Sequence, residues 1–369
     1  MRRIALLGAA NSIHLQRWAH ALVARGHAVC VLSQDPIDRS LLPEAAEIVA
    51  LPHKGQAGYF LNAWRVRRHL AAWRPDVFNA HYASGYGTTA MLSGVRPLLL
   101  SVWGSDVYDF PYESALKGWL IRAALRRATA VASTSHAMAR QVRRLVPGIG
   151  EIAVTPFGVD LAQFAPRPAA RDAHWITLGI VKTLAPKYGV DLLLRAFAGL
   201  LADERVRALP LPCRLLVVGG GAQRAELEAL AADLGVADRT TFAGAVPHGD
   251  VPEWLNRFDV YAAPSRLDSE SFGVAVIEAG ACGLPAVVSD VGGLPEVVRE
   301  GETGLVVPRD DVAALQSALV RLALDAGLRE HMGAQARAHV AQAYDWARCV
   351  DAMEATYERM IAATLNPQE

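Results

Sequence analysis

Residues 270–278 read Glu270-Ser271-Phe272-Gly273-Val274-Ala275-Val276-Ile277-Glu278, and an apolar run lies just before them at 259–263. This order predicts a buried strand, a loop that contains the first acid, and a helix that begins near Val274. The second acid, Glu278, then lies about one turn into the helix. A strand that leads through a loop into a helix is the repeating unit of a parallel sheet covered by helices. The segment therefore indicates an α/β fold.

The same alternation of apolar runs and amphipathic segments extends along the whole chain. Strands are predicted in the first half at 3–7, 28–33, 76–80, 98–103 and 129–133. In the second half they are predicted at 175–181, 213–218, 239–243, 259–263, 285–289 and 304–307. Helices are predicted at 310–324, 328–342 and 345–363. We expect two doubly wound, Rossmann-like domains that face each other across a cleft, with a ligand where the strand carboxyl ends converge.

The length of the chain also favours two domains, because 369 residues are too many for one ordinary core. The segment 156–172 contains Pro156, Pro166 and Pro168 and is typical of a linker. We therefore predict an N-terminal Rossmann-like domain at 1–165 and a C-terminal one at 166–344.

The composition, 52% hydrophobic and 20% charged, is that of a well-buried globular protein. The four cysteines (Cys30, Cys213, Cys282 and Cys349) have no paired or metal-type spacing, which favours buried thiols in a reducing compartment. No apolar run approaches the ~20 residues of a membrane span. The first apolar run stops at Asn11 and is better explained as a buried strand than as a signal peptide. The expected location is the cytoplasm.

The net charge is zero, but the charges are unevenly distributed. Residues 1–165 contain 18 Lys and Arg against 10 Asp and Glu, and residues 166–369 contain 19 against 27. Three basic groups lie in the first half: Arg65, Arg67 and Arg68; Lys117, Arg122, Arg126 and Arg127; and Arg140, Arg143 and Arg144. In the last group Met138, Val142 and Leu145 form an apolar stripe opposite the arginines. The basic residues indicate either solvated helix faces or peripheral attachment to anionic lipid at the inner face of a membrane.

Two lysines follow the first strand predicted in the second domain, namely Lys182 and Lys187 in Lys182-Thr183-Leu184-Ala185-Pro186-Lys187. Two cations at this end of a sheet can neutralise a diphosphate and stabilise it as a leaving group without a metal. Lysines in a loop are otherwise ordinary surface charges. Their presence in the same domain as residues 270–278 favours the first alternative, because the free N–H groups at a helix start also bind anions.

The two acids at 270 and 278 restrict what such an anion carries. Carboxylates next to an anion site repel a bare phosphate, but they accept hydrogen bonds from hydroxyl groups on either side of one. A phosphate with hydroxyl-rich groups at both ends fits the pattern, and a sugar nucleotide is such a ligand.

Two glycine runs lie beside predicted strand ends. Gly219-Gly220-Gly221 precedes a helical pattern from Gln223, but Arg224 stands where a dinucleotide fingerprint needs a small residue. We interpret the run as a tight turn lining a nucleotide cleft, with Gly221 as a candidate donor-binding residue. Gly292-Gly293-Leu294-Pro295-Glu296 either closes over the ligand or only permits the turn.

Candidate catalytic residues of the first domain lie at predicted strand exits. Asp106, in Ser101-Val102-Trp103-Gly104-Ser105-Asp106, either binds a hydroxyl group of a substrate or caps the next helix. His14 and His81 are each either site residues or structural histidines. The chain shows no Ser-His-Asp set, no His-Cys metal spacing and no phosphate-binding loop of the Walker type.

These motifs together resemble family 4 of the retaining glycosyltransferases, which act on nucleotide sugars and have the GT-B fold. The resemblance spans nearly the whole chain and is strongest at 259–308. It rests there on Pro264-Ser265, Glu270-x7-Glu278, Gly283-Leu284-Pro285, Gly292-Gly293-Leu294-Pro295-Glu296 and Gly304-Leu305-Val306. Outside that segment it includes Gly26-His27, Phe157-Gly158-Val159-Asp160 and Phe164-Ala165-Pro166.

The resemblance implies roles for individual residues. Glu278 would hold the ribose hydroxyls, and Glu270 would hold the transferred sugar near its reacting carbon. Lys182 and Lys187 would bind the diphosphate. The segment from Ser271 to Val274 would line the same site, and the backbone amides of Phe272, Gly273 and Val274 would donate to the diphosphate. Val246 would contact the base through its backbone. The C-terminal helix, about 345–369, would cross back onto the first domain.

Three positions depart from the family pattern. The usual arginine is Lys182, which keeps the charge but loses the bidentate fork. The histidine often found before Gly-x-Asp is Trp103, and His14 or His81 would substitute for it. The N-terminal glycine pair is replaced by Ala9-Ala10-Asn11-Ser12.

The activity that the resemblance implies is the transfer of a hexose, with retention, from a UDP-, GDP- or ADP-sugar to a hydroxyl of a glycan, a lipid-linked or a small acceptor. No metal, cofactor or nucleic acid is expected. Alternative functions are a sugar-nucleotide epimerase or phosphorylase-like enzyme of the same fold, and a non-catalytic partner of another transferase that binds the sugar nucleotide. A nicotinamide oxidoreductase is disfavoured by the failed fingerprint.

Overall fold

The computed structural model describes residues 1–365, with side chains through Thr364. The chain forms two compact units. Unit 1 consists of Met1–Phe157 and the segment from Ala347 onward, and unit 2 consists of Gly158–Trp346. The division between residues 165 and 166 that the sequence suggested stays a prediction.

Unit 1 contains a seven-stranded parallel sheet with the strand order β3-β2-β1-β4-β5-β6-β7. The strands are β1 Arg3–Leu7, β2 Ala28–Ser33, β3 Glu47–Ala50, β4 Val77–His81, β5 Leu98–Val102, β6 Ala130–Ser133 and β7 Ile152–Val154. The order reverses between β1 and β4, which is the switch point of a doubly wound sheet. Ligands of such sheets bind beside the carboxyl ends of the strands at this point.

Eight helices belong to unit 1 in the described part of the chain. They are α1 Ile13–Ala24, α2 Gly55–Leu61, α3 Ala63–Trp73, α4 Gly85–Ser93, α5 Ser105–Tyr108, α6 Ala115–Arg127, α7 His136–Leu145 and α16 Trp346–Leu365. A buried cluster joins the central strands to α3, α4, α6 and α7. These helices therefore cover one face of the sheet, as right-handed connections from β3 through β7 require.

The last helix packs on unit 1 through polar contacts. Tyr357 accepts a hydrogen bond from the Asn79 amide at 2.8 Å, and Glu358 pairs with the Arg2 guanidinium at 2.6 Å. Glu354 contacts His27 at 2.6 Å. The sequence-predicted return of the segment 345–369 includes residues 366–369, which lie outside the described residues.

Unit 2 contains a six-stranded parallel sheet with the order β10-β9-β8-β11-β12-β13. Its strands are β8 Ile176–Val181, β9 Cys213–Val218, β10 Thr240–Gly244, β11 Val260–Ala263, β12 Ala286–Ser289 and β13 Gly304–Val307. Its helices are α8 Val190–Ala202, α9 Glu204–Arg207, α10 Arg224–Asp233, α11 Val251–Leu255, α12 Val274–Ala281, α13 Leu294–Val297, α14 Val312–Leu324 and α15 Ala326–Ala343. The switch point lies between β8 and β11, which pair directly.

All the strands predicted from the sequence are present, and each predicted end lies within one residue of the observed end. The α/β class, the two doubly wound sheets and the predicted helix start at Val274 are confirmed. Two strands were missed, β3 and β7. Both are edge strands of three or four residues, and β3 is exposed or half-buried throughout. Edge strands lack the continuous apolar run by which buried parallel strands are recognised.

The helix α7 has the two faces that its sequence predicts. Met138, Val142 and Leu145 are buried, and Arg140, Arg143 and Arg144 are exposed. Within residues 1–365, no helix combines the length and the apolar character that crossing a membrane needs.

Candidate active site

An ion pair joins the ends of the two central strands of unit 2. The Lys182 ammonium, one residue beyond β8, lies 2.8 Å from the Glu270 carboxylate in the loop after β11. The Glu270 side chain is only 9% exposed. Burial by itself would lower the pKa of Lys182, but the charge of Glu270 and its hydrogen bond outweigh burial and raise it. The Lys182 ammonium is therefore held ionised at the switch point of the sheet.

Lys187 belongs to the same site through an aromatic ring. The ammonium groups of Lys182 and Lys187 lie 4.6 Å and 4.8 Å from the centre of the Tyr188 ring. A ring face attracts cations, so Tyr188 holds the two like charges near each other. The structure thus brings both predicted lysines together with Glu270.

Glu278 lies in α12, where it is buried and paired with a histidine. Its carboxylate is 2.8 Å from Nε2 of His248, which follows β10. Val246, the predicted base contact, precedes His248 by two residues and is half-buried in the same loop. Four chain segments therefore contribute to the candidate donor site of unit 2: the ends of β8, β10 and β11, and the start of α12.

The start of α12 owes its geometry to Gly273. This residue caps the helix with φ +95°, a left-handed conformation that favours glycine. A Cβ there would also lie 2.7 Å from Leu294. Ser271 and Phe272, which precede it, are buried. The predicted contact of the 272–274 amides with a diphosphate stays a prediction.

The two glycine runs pack against the backbone of the segments that contain Lys182 and Glu270. A Cβ on Gly219 would overlap the Lys182 carbonyl oxygen, and one on Gly221 would overlap the Leu184 carbonyl oxygen. In the same way, a Cβ on Gly292 would overlap the backbone carbonyl oxygen of Glu270. The glycines thus let backbone lie against backbone, which explains the 219–221 run without a dinucleotide.

Asp106 of unit 1 is fully buried, with its carboxylate held by backbone amides. It accepts hydrogen bonds from Ala83 at 2.7 Å, Gly104 at 2.8 Å and Trp103 at 3.1 Å. Burial raises its pKa, although the amides act in the opposite direction. These bonds tie the exits of β4 and β5 together. Asp106 is not the cap of the next helix, because α5 is capped by Gly104 without a side-chain bond. Its observed contacts are structural in another way, and its catalytic role stays a prediction.

His14 and His81 surround Trp103 at the carboxyl end of the unit 1 sheet. The His14 ring stacks on Phe157 at 4.0 Å, and the Trp103 ring lies 5.6 Å from His14 and 5.2 Å from His81. His81 ends β4 and is buried, and neither ring nitrogen has a hydrogen-bond partner among the described residues. Burial, reinforced by His14, lowers the pKa of His81 to about 3. His81 is therefore neutral, with one donor and one acceptor available.

Tyr82, next to His81, adopts φ +75° although it carries a bulky side chain. Such strain concentrates at functional sites. The Tyr82 hydroxyl is hydrogen-bonded to Ser105, which fixes the ring beside Trp103. Nothing in the sequence pattern marked this residue.

A group with metal-ligand chemistry lies elsewhere in unit 1. Nε2 of His69 is 3.6 Å from the Cys30 thiol and 3.1 Å from the Glu47 carboxylate. Burial, followed by the charge of Glu47, raises the pKa of the Cys30 thiol to about 12. Hydrogen bonding accounts for these contacts. The three residues lie 17 and 22 positions apart, so no motif spacing announced them.

Family models match both halves of the chain. Residues 167–339 match the model described as glycosyl transferases group 1, and residues 3–135 match glycosyl transferase 4-like. A GDP-mannose-dependent alpha-(1-6)-phosphatidylinositol monomannoside mannosyltransferase of Mycolicibacterium smegmatis is 33% identical over 70% of this chain and 69% of the relative. This chain belongs to family 4 of the glycosyltransferases.

Other relatives and solved structures are also similar to this glycosyltransferase. A D-inositol 3-phosphate glycosyltransferase of Acidothermus cellulolyticus is 38% identical over 61% of the chain and 53% of the relative. The sucrose-phosphate synthase of Thermosynechococcus elongatus superimposes with a TM-score of 0.82, at 23% identity, over 98% of this chain and 100% of that one. An Anabaena protein solved with UDP gives 0.80, at 18% identity, over 97% and 100%. These likenesses show the GT-B fold.

Two residues of the candidate donor site, Tyr188 and His248, were not predicted from the sequence. Tyr188 follows Lys187 directly and is six positions from Lys182, so an aromatic ring next to both lysines could have been predicted. His248 is 30 positions from Glu278, so only the fold brings them together.

Proposed function

We propose that this glycosyltransferase transfers a sugar, with retention and without a metal, from a nucleoside-diphosphate sugar to an acceptor hydroxyl. The observation that carries the proposal is the Lys182–Glu270 ion pair at the switch point of the unit 2 sheet. An ionised ammonium there offers a fixed positive charge to a diphosphate, and the carboxylate offers an acceptor to sugar hydroxyls. In many enzymes, most of the rate acceleration comes from charges fixed in advance at the point where the leaving group becomes charged.

In the proposed reaction, the bond between the anomeric carbon and the phosphate oxygen breaks. Negative charge grows on the diphosphate, where Lys182, Lys187 and the amides of Phe272, Gly273 and Val274 stabilise it. Glu270 holds the sugar while positive charge develops on its ring. The acceptor oxygen bonds to the anomeric carbon on the same face, and its proton passes to the departing phosphate.

The acceptor hydroxyl is assigned to His81 of unit 1. A neutral, buried imidazole with both nitrogens unpartnered among the described residues suits a hydrogen bond to a hydroxyl group. Its lowered pKa makes it a weak base, so it would orient the acceptor rather than remove the proton.

Glu278 and Glu270 are given different tasks. Glu278, fixed by His248, would bind the ribose, whereas Glu270 would act at the reacting sugar. Loss of Glu278 should therefore weaken nucleotide binding, and loss of Glu270 should slow turnover. The resemblance to the family suggests this division. The contacts support it, since the Glu270 carboxylate is paired with Lys182 and the Glu278 carboxylate with His248.

The donor is tested first by thermal shift with UDP, GDP, ADP and their sugars. A bound ligand raises the apparent stability by an amount that grows with the logarithm of the ratio of its concentration to its dissociation constant. GDP-mannose heads the panel because a relative depends on it. Product formation is then measured with and without inositol phosphate and phosphatidylinositol, since relatives are named for inositol-containing acceptors.

Glu270→Gln should lower kcat about 10²- to 10³-fold while the nucleoside diphosphate still raises the melting temperature. Glu278→Gln should abolish most of that melting shift. The matched control is Glu253→Gln, an exposed glutamate of unit 2. Near-normal turnover of Glu270→Gln contradicts the proposal. Product without an acceptor would indicate an epimerase, and binding without turnover would indicate a non-catalytic partner.

We also propose that the protein works at the inner face of an anionic membrane while remaining peripheral. The excess of basic residues in its first half supports this proposal.

A further inference from the structure

Exposed apolar side chains are concentrated on one part of unit 1. Eleven large apolar side chains of the described residues are exposed, and six of them lie in α2, at the start of α3, in the turn at 110–112 or in α6. These six, each 49–67% exposed, are Phe60, Leu61, Trp64, Tyr112, Leu116 and Trp119. Soluble proteins rarely group such side chains, and a group marks an interaction site.

The six side chains lie at the carboxyl end of the sheet. The helix α3 ends just before β4 begins, so its last residue lies near the amino end of the sheet. Its first residue, and α2 before it, therefore lie near the opposite end, where the strands end. Tyr59 of α2 packs on the first turn of α4, where its ring lies 5.3 Å from Tyr86. α6 likewise starts near the exit of β5 and returns toward β6, so Leu116 and Trp119 lie in its first half. Both α2 and α6 pack on α4.

The charges of these helices have one sign. Together α2, α3, α4 and α6 contain seven Lys and Arg residues and no Asp or Glu. The guanidinium groups of Arg65 and Arg68 lie 5.4 Å and 4.6 Å from the Trp64 ring. In the turn before α6, Asp109 and Glu113 are exposed, and Glu113 is paired with Lys117.

We infer that these six side chains and Arg65, Arg68 and Lys117 form a lipid-docking surface for an anionic bilayer. Tryptophan and tyrosine favour the interface between headgroups and acyl chains. Each Lys or Arg near an anionic surface adds ~1 kcal/mol of attraction. A second copy of this chain fits poorly, because a symmetric contact would place like charges opposite each other.

The lipid-docking surface differs from the other basic helix of unit 1. The outer face of α7 presents Arg140, Arg143 and Arg144 but no exposed large apolar side chain. Basic charge alone gives weak, salt-sensitive attraction, whereas insertion needs apolar side chains as well. The inference therefore assigns the contact to α2, α3 and α6 and leaves α7 in solvent.

The test is co-sedimentation of the full chain with vesicles of phosphatidylcholine containing about one third phosphatidylglycerol, compared with phosphatidylcholine alone. Wild type should bind the anionic vesicles only. Trp64→Ser with Trp119→Ser, and separately Arg65→Glu with Arg68→Glu, should each weaken partition at least about tenfold. The matched controls are Leu41→Ser and the pair Arg143→Glu with Arg144→Glu, which should stay within about twofold.

Three results would overturn the inference: no binding by wild type, equal binding by the surface variants, or a wild-type dimer that the tryptophan variant dissociates. Melting temperatures confirm that each variant is folded, as expected for half-exposed side chains. The inference deepens the proposed membrane-surface function. Because no donor or acceptor is present in the assay, vesicle binding and sugar transfer can fail independently.

Discussion

The two sheets carry different chemistry at equivalent ends. In unit 2, the strand exits hold an ion pair between Lys182 and Glu270 and a contact between His248 and Glu278. In unit 1, they hold aromatic rings around a neutral histidine, and the buried acid Asp106 accepts hydrogen bonds from backbone amides. The carboxyl ends of the two sheets therefore differ in chemistry: the unit 2 end contains an ion pair, and the unit 1 end contains neutral aromatic rings.

This contrast fits a division of labour in sugar transfer. A diphosphate leaving group requires fixed positive charge, whereas a neutral hydroxyl is oriented well by a neutral hydrogen-bonding ring in an apolar setting. This interpretation is wrong if removing the Lys182 charge leaves turnover unchanged, or if His81 has the pKa of an ordinary histidine.

The largest effect is expected from Lys182→Ala. Removing the ammonium takes away the charge that we propose stabilises the diphosphate and leaves Glu270 buried without its partner, so kcat should fall about 10²- to 10³-fold. Lys182→Arg keeps the charge and should retain activity within about tenfold. Steady-state rates with the donor found by thermal shift measure both. Equal losses in the two variants would show that charge is not the deciding property.

A smaller effect concerns His81 and pH. The folded protein keeps this imidazole neutral down to a pKa of about 3, whereas the unfolded chain takes up a proton near the ordinary value of ~6.5. Stability contributed by neutral His81 is therefore lost as the pH falls below ~6.5. Between pH 7 and pH 5 the loss should be about 2 kcal/mol.

The measurement compares urea unfolding of wild type and His81→Leu at both pH values. The difference in unfolding free energy between the two proteins should change by that amount, and the exposed His53→Leu serves as the matched control. A His81→Leu profile parallel to that of wild type would mean that His81 finds a partner when protonated.

The smallest effect is expected from Tyr188→Leu. Each ammonium–ring contact is worth ~0.5–1 kcal/mol, so the donor KM should rise about two- to fivefold with little change in kcat. Tyr188→Phe keeps the ring face and should behave like wild type in the same assay. If both substitutions act alike, the hydroxyl rather than the ring positions the lysines.

The sequence was informative wherever a local pattern decides the structure. Buried strands such as β8 and β9 are continuous apolar runs, and the turn into α12 is fixed by the residues around Gly273. Contacts between residues far apart in the chain could not be predicted from local sequence patterns. Lys182 and Glu270 are 88 positions apart, and only the neighbouring positions of β8 and β11 bring them to 2.8 Å.

Asp106 shows the same limit in another form. A carboxylate at a strand exit has two uses, and the sequence contains no information on where the nearby amides point. Three amides from two strand exits converge on it only after the sheet has formed.

The glycine pair at 292–293 has a consequence for binding. Its backbone lies directly against that of Glu270 and Ser271, and the Gly293 amide donates to the Glu270 carbonyl at 3.1 Å. The conformational entropy of this loop is therefore lost when unit 2 folds, not when a donor arrives. If this loop binds the donor as proposed, the binding free energy is not reduced by a cost of ordering the loop.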